Sequence, residues 1–204
     1  MKTKKTGQAS TARDRLLESA LKVFSRKGYA ASIREIAEES GTTLPSLYYY
    51  FGSKEGLFLE LMREHFGRFQ SVMNDYDETE SARENLKRFL MTTYLHMLED
   101  LDFVRLMSFI SYGPPQGAPP FDSEPYYRQL REFLTAMIKT GMKSGEFRSG
   151  NADDMAWVMR GVMHAAGEDL CSHSMEKLNQ ARLGKILDLI LDGFSSEPRK
   201  KKRK

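Results

Sequence analysis

One cysteine among 204 residues leaves no intrachain disulfide to form, so a disulfide framework is excluded and a reducing compartment suits the chain. Long apolar runs are also missing. The first ten residues are polar and charges interrupt every apolar stretch, so no signal-peptide layout or membrane span is read and a cytoplasmic protein is expected. Strong net charge is a third absence, since 31 basic and 28 acidic side chains leave only +3. That near balance hides a split. Residues 1–60 carry 10 Lys/Arg against 7 Asp/Glu, residues 61–198 carry 15 against 21, and residues 199–204 are six basic side chains in succession. What is present is 40% hydrophobic and 29% charged residues, the balance of a folded chain. A chain of this length buries roughly 70% of its unfolded surface as one domain or two small ones.

Residues 1–10, MKTKKTGQAS, have no apolar periodicity and read as a basic arm, either contacting phosphate or solvated. From Arg13, the residues Leu16, Leu17, Ala20, Leu21, Val23 and Phe24 follow a 3.6-residue period up to Gly28, which predicts a first helix. Two short segments come next. Ser32 and Glu35 form a capping box that opens a helix burying Ile33, Ile36 and Ala37, and Gly41 stops it. Thr43 then caps a second short helix, Leu44–Tyr50, in which Pro45 is tolerated because first-turn amides need no intrahelical partner. Two short helices around a glycine turn make a helix-turn-helix, a DNA-reading motif. In its second helix, Leu44, Leu47, Tyr48 and Phe51 offer apolar anchors. Tyr48, Tyr49 and Tyr50 cannot all point inward from two turns, so some phenol stays exposed, which suits a surface laid against DNA. The rings of Tyr48 and Tyr50 are the ones read as packing on neighbouring helices. Lys54, near the start of the next helix, can meet a phosphate beside early backbone amides.

A fourth helix, Ser53 to about Met73, is long enough to enter a second domain without a flexible linker. After the acidic stretch 74–80, Ser81 and Glu84 read as a further capping box opening a helix to Glu99. Leu101–Tyr112 is apolar and helical, and the Gly- and Pro-rich segment 113–120 is a loop without the strand or lysine of a phosphate-binding loop. Helices over Glu124–Lys139, Asn151–Leu170 and Met175–Phe194 complete an all-α chain of about nine helices, a three-helix head followed by a larger bundle.

At residues 13–61 the sequence resembles the TetR family of bacterial transcriptional regulators. Arg15, Ala20, Phe24, Gly28, Tyr29, Ile33, Ile36, Ala37, Gly41, Leu47, Tyr48, Phe51 and the run Ser53-Lys54-Glu55-Gly56-Leu57 have that family's order and spacing. The resemblance implies a basic arm and DNA-binding domain at 1–52, a ligand-binding and dimerisation domain at 53–198 joined through helix four, and a basic tail at 199–204. It also implies a homodimer on a pseudo-palindromic operator, with its two recognition helices in successive major grooves. Carried over position by position, Thr43, Leu44, Pro45, Ser46 and Tyr49 are expected to face bases, and Ser32, Tyr48, Tyr50 and Lys54 to face phosphates. Leu44 departs from the polar residue common at its position, so a thymine-methyl contact replaces a directional hydrogen bond there.

The same resemblance implies a repressor released by a small molecule held in the second domain. Large aromatic and methionine side chains there suit a hydrophobic or aromatic effector, and the same residues equally suit an ordinary core. The candidates are Phe69, Tyr94, Met97, Leu98, Phe103, Met107, Phe109, Phe133, Met137, Trp157, Met163 and His164. For the dimer surface they are Val158, Gly161, Val162, Ala165, Leu178, Leu183, Ile186, Leu187, Ile190 and Leu191, with burial inside one protomer as the other reading. No cofactor, metal or catalytic residue is expected. A hydrolase built on Cys171, His173 and His164 is the enzymatic alternative, but the cluster has no evident acidic orienter or convincing ligand spacing. A protein-binding head without DNA affinity is a second alternative.

Overall fold

A computed structural model describes residues 11–74, 76–77, 79–172 and 178–195. The basic arm, His173, the expected start of the last helix at Met175 and the basic tail lie outside the described residues. The described chain is all-α apart from one isolated antiparallel bridge, Phe147 to Ser195. It divides into two compact units, one holding the described part of Met1–His65 together with Arg105–Phe121, the other Phe66–Val104 together with the described part of Asp122–Lys204.

The first unit begins with α1 (Ala12–Lys27), opened by a Thr11/Asp14 capping box one turn ahead of the apolar pattern and closed by Gly28 at φ +67°. A short 3-10 turn, Gly28–Ala30, leads to α2 (Ile33–Glu39), where the Ser32/Glu35 box forms as its sequence predicts. Next is α3 (Leu44–Phe51), capped by the Thr43 hydroxyl, carrying Pro45 in its first turn and ended by Gly52. Helix α4 (Lys54–Ser71) gives way to a 3-10 turn, Val72–Asn74, so its regular part stops short of Met73. Leu16, Phe24, Ile36, Leu47, Leu57 and Phe58 are buried almost completely and form the centre of this unit. The Phe58 ring meets Phe24 and Tyr29 edge-on at 5.7 and 5.1 Å, a favourable aromatic arrangement. Arg13 Nη2 donates to Glu60 Oε1 at 2.6 Å, tying the first turn of α1 to α4.

The second unit is a bundle in which α5 (Ala82–Glu99) packs against α7 (Glu124–Lys143), α8 (Ala152–Cys171) and α9 (Gln180–Phe194), and α7 packs against α8. The intervening α6 (Leu101–Tyr112) starts in this unit and has its later residues in the first. Leu86, Leu90, Tyr94, Ile138, Ala156, Met159, Leu183, Leu187 and Leu191 are at most 1% exposed in its core. One expectation changes at the start of α5. Ser81 does cap the helix, but Glu84 does not close the box; Glu146 accepts the Ala82 and Arg83 amides at 3.2 and 3.1 Å instead. A carboxylate from the loop after α7 thus does the work expected of a local residue, because it reaches two orphan amides at once and complements the helix dipole. Burial pushes the Glu146 carboxyl up, yet the amides of Arg83 and Ala82 and the hydroxyls of Ser144 and Ser81 outweigh it and hold its pKa below the ordinary value. Among the described residues no helix is long and apolar enough to cross a membrane.

Candidate nucleic-acid interface and effector region

Helix α3 has two turns and one fully buried side chain, Leu47. Each step along a helix turns by about 100°, so with Leu47 inward Phe51 lies about 40° from it and Leu44 and Tyr50 about 60°; Leu44 and Phe51 are half-buried. Tyr48 lies one step off that side and is 49% exposed, which corrects the expectation that its ring packs inside. Tyr49 is 83% exposed and stacks edge-on with Tyr50 at 5.0 Å. Tyr50 is 41% exposed, so its ring is not core either, and the three phenols splay over about 200° of the helix with Tyr49 opposite Leu47. Of the other base-facing candidates, Thr43 and Pro45 are exposed and Ser46 is half-buried. Thr43 Oγ1 accepts the Ser46 amide at 3.3 Å and lies 3.1 Å from Ser46 Oγ, so this hydroxyl pair is fixed at the helix start.

Of the phosphate-facing candidates, Tyr48 and Tyr50 stand on α3 itself, and Ser32 and Lys54 belong to other elements of the same unit. Ser32 is exposed at the N-cap of α2, its Oγ accepting the Arg34 amide at 3.2 Å. Lys54 opens α4 with its ammonium 4.3 Å from the centre of the Tyr29 ring, a cation–π distance. Burial lowers the Lys54 pKa, and burial, followed by the Glu55 carboxylate, raises that of Tyr29. Local sequence spacing does not announce the Tyr29–Lys54 contact, nor that of Gln116, whose partners lie far away in the chain. Gln116 Oε1 accepts the Ala30 amide at 3.0 Å and its Nε2 donates to the Lys27 carbonyl at 3.4 Å.

The effector candidates do not form one group. Tyr94, Met137 and Met163 are buried in the second core, with Met97, Leu98 and Phe133 packed against it, and Phe103 meets Phe66 edge-on at 5.7 Å. Phe69 is half-buried at the end of α4. Met107 and Phe109 fall in the first unit, where the Phe109 ring lies beside Gly28. Trp157 is 71% exposed and His164 is exposed, so both face away from the core. The Tyr94 hydroxyl donates to the Leu178 carbonyl at 2.6 Å; burial, then the charge of Asp169, raises its pKa.

The dimer candidates divide as cleanly. Leu183, Leu187 and Leu191 are fully buried within the protomer and have no area left for a second chain. Val158, Gly161 and Ala165 on α8 are exposed, and Val162, Leu178, Ile186 and Ile190 are half-buried. Trp157 and Leu189, at 71% and 73%, stand outside the expected dimer set and are the most exposed large apolar groups of these two helices. Between α8 and α9 lies an open cleft of about 460 Å³, lined by Val162, Ala165, Ala166, Asp169, Leu178, Arg182, Leu183 and Ile186. Among the described residues its lining includes no aromatic side chain and none of the effector candidates. Cys171 ends α8, and among the described residues no group of three or more His, Cys, Asp or Glu is placed to hold a metal ion.

Comparison with known proteins agrees with the head's geometry. A family model described as bacterial regulatory proteins, tetR family, matches residues 16–61. The HTH-type transcriptional repressor NicS of Pseudomonas putida is 34% identical over 171 residues, 78% of this chain and 78% of that protein. An uncharacterized HTH-type transcriptional regulator of Bacillus subtilis, YuxN, is 33% identical over 111 residues, 53% of this chain; the match spans 36% of that protein's length. Among solved structures, the ketosteroid transcriptional regulator KstR2 of Mycobacterium tuberculosis shares the fold with a TM-score of 0.73 at 24% identity, over 94% of this chain and 99% of that one.

Proposed function

Since this chain belongs to the TetR family of bacterial regulatory proteins and is a helix-turn-helix transcriptional regulator, we propose that it works as a ligand-released repressor, binding a pseudo-palindromic operator as a homodimer. The observation that carries this reading is the open tyrosine face of α3, with Tyr49 83% exposed and Thr43 and Ser46 fixed beside it. An exposed aromatic surface of this size is a poor outer face for a lone protomer and a good one for a groove. Thr43, Leu44, Pro45, Ser46 and Tyr49 face the bases; Ser32, Tyr48, Tyr50 and Lys54 face the phosphates. NicS, named a transcriptional repressor, supports the sign of the response.

Dimerisation uses the outer faces of α8 and α9, where Trp157, Val158 and Leu189 stand in the open. The effector is an apolar or aromatic molecule taken up in the second unit among Tyr94, Met97, Leu98, Phe133, Met137 and Met163, where methionines adapt to its shape. It releases the operator only through unequal affinity for the DNA-competent and incompetent states; about 1–3 kcal/mol of coupling changes operator affinity between ~5- and ~150-fold. The protein acts in the cytoplasm on chromosomal DNA and needs no cofactor. Selecting bound sites from random double-stranded DNA, followed by footprinting, tests the reading. A recurrent palindrome with half-sites about one helical turn apart is the expected result. Salt-sensitive retention without sequence enrichment would overturn it.

A further inference from the structure

The first unit contains a contact whose purpose is not explained by packing alone. Gln116 comes from the Gly- and Pro-rich loop after α6, and its planar amide spans the 3-10 turn Gly28–Ala30, accepting from the Ala30 amide and donating to the Lys27 carbonyl. Turn and loop meet too closely for any side chain between them. A Cβ built on Gly28 would lie 2.1 Å from Gln116 Oε1 and 2.4 Å from the Phe109 ring. The turn is thus held by two directional bonds and by steric contact at its glycine.

That turn adjoins two of the groups read above as meeting phosphates, Lys54 and Ser32. Tyr29 is its middle residue; the ring packs beside Phe24 at 5.9 Å and Phe58 at 5.1 Å, and the Lys54 ammonium rests 4.3 Å from its centre. On the other side of Ala30, the buried Ala31 leads directly into Ser32, the cap of α2. Displacement of the Ala30 amide therefore moves the platform of Lys54 and the start of α2 together.

We propose that Gln116 is a positioning residue for operator binding: it fixes the Gly28–Ala30 turn so that Tyr29 holds the Lys54 ammonium against a DNA phosphate. The inference rests on the reading of Lys54 as a phosphate contact. A neutral amide carries no charge for DNA to neutralise, so any influence of Gln116 on the salt dependence of binding must act through a cation that it places. Glutamine also fits the task by kind, since the turn needs one acceptor and one donor in the same plane.

The test uses the full chain, a selected operator and affinities measured across a salt series. Gln116→Met keeps the volume and removes both hydrogen bonds. Its expected effect is weaker binding and a slope of log K against log salt shallower by about 0.9 for each phosphate that is no longer neutralised. Lys54→Ala should lower the slope equally, and adding Gln116→Met to it should change the slope no further. Amide exchange at Ala30, faster in Gln116→Met than in the parent, reports the turn's anchoring independently; Gln116→Ala serves if the methionine variant does not fold. A lowered slope in Lys54→Ala with an unchanged one in Gln116→Met would overturn the positioning role and leave the phosphate contact standing. An unchanged slope in Lys54→Ala removes the phosphate contact and the inference with it. An equal slope change from Gln116→Met with and without Lys54 would also refute it.

Discussion

Both units leave large apolar side chains in the open, and they do so differently. In the first, Tyr48, Tyr49 and Tyr50 stand out from α3 with a hydroxyl on every ring, next to the fixed Thr43–Ser46 pair. In the second, Trp157, Val158 and Leu189 are exposed on α8 and α9 without comparable hydroxyls of their own. Exposure alone says that a surface wants a partner. The chemistry of the exposed atoms says which kind: phenols and hydroxyls suit phosphates and base edges, whereas indole and aliphatic carbon suit another protein surface.

Substitutions should separate the two surfaces. Trp157→Ala is expected to have the largest effect, because a tryptophan at the centre of an interface commonly contributes about 2 kcal/mol or more, roughly a 30-fold weaker dimer. Sedimentation should show the shift toward monomer, and the melting of the protomer's helices should not account for it. If the dimer persists undiminished, the outer face of α8 is not the interface. Tyr49→Ala comes next. Removing a groove-facing side chain costs about 1 kcal/mol at each of the two half-sites, so operator affinity should fall roughly 30-fold at most while sedimentation and thermal unfolding stay as in the parent. Equal retention of operator by this variant would break the assignment of the phenol face to DNA.

The smallest effect is expected from Glu146→Gln, which touches neither surface. The carboxylate's pKa is lowered in the folded state, so its stabilisation is fully present above the ordinary value of 4.5 and disappears as pH falls through the lower folded value. The parent should exceed the variant in stability by about 1 kcal/mol at neutral pH, with the gap closing in acid. Denaturant titrations at several pH values measure it; a gap that widened in acid would contradict the capping role.

Legibility in the sequence tracks the distance over which each residue acts. Thr43, Ser32 with Glu35, Pro45 and Gly41 act within one turn of themselves, and the head's short helices stand where those residues put them. Leu187 and Leu189 are two positions apart in one amphipathic pattern, yet one is fully buried and the other 73% exposed; only the packing of α5 against α9 decides which is core. Tyr48 misleads because an aromatic in a two-turn helix fits the apolar pattern, while Leu47 already takes the inward position. Glu146 and Gln116 are invisible for another reason. Each completes a backbone group from a distant loop, and no local spacing announces such a partner.

The Thr43–Ser46 hydroxyl pair has a consequence for how this regulator's target can change over evolutionary time. Whichever oxygen donates in their mutual hydrogen bond, one hydroxyl proton is left over, and in the proposed complex it is available to a groove acceptor such as a purine N7 or thymine O4. The same Thr43 oxygen caps α3 by accepting the Ser46 amide. A replacement that reads a new base must therefore also cap, which confines the position to a few short polar residues, and aspartate among them would face phosphate repulsion. If the proposed base contacts hold, operator divergence at this base is coupled to the stability of the recognition helix, and new specificities are reached more readily through Leu44 and Tyr49, which carry no capping duty.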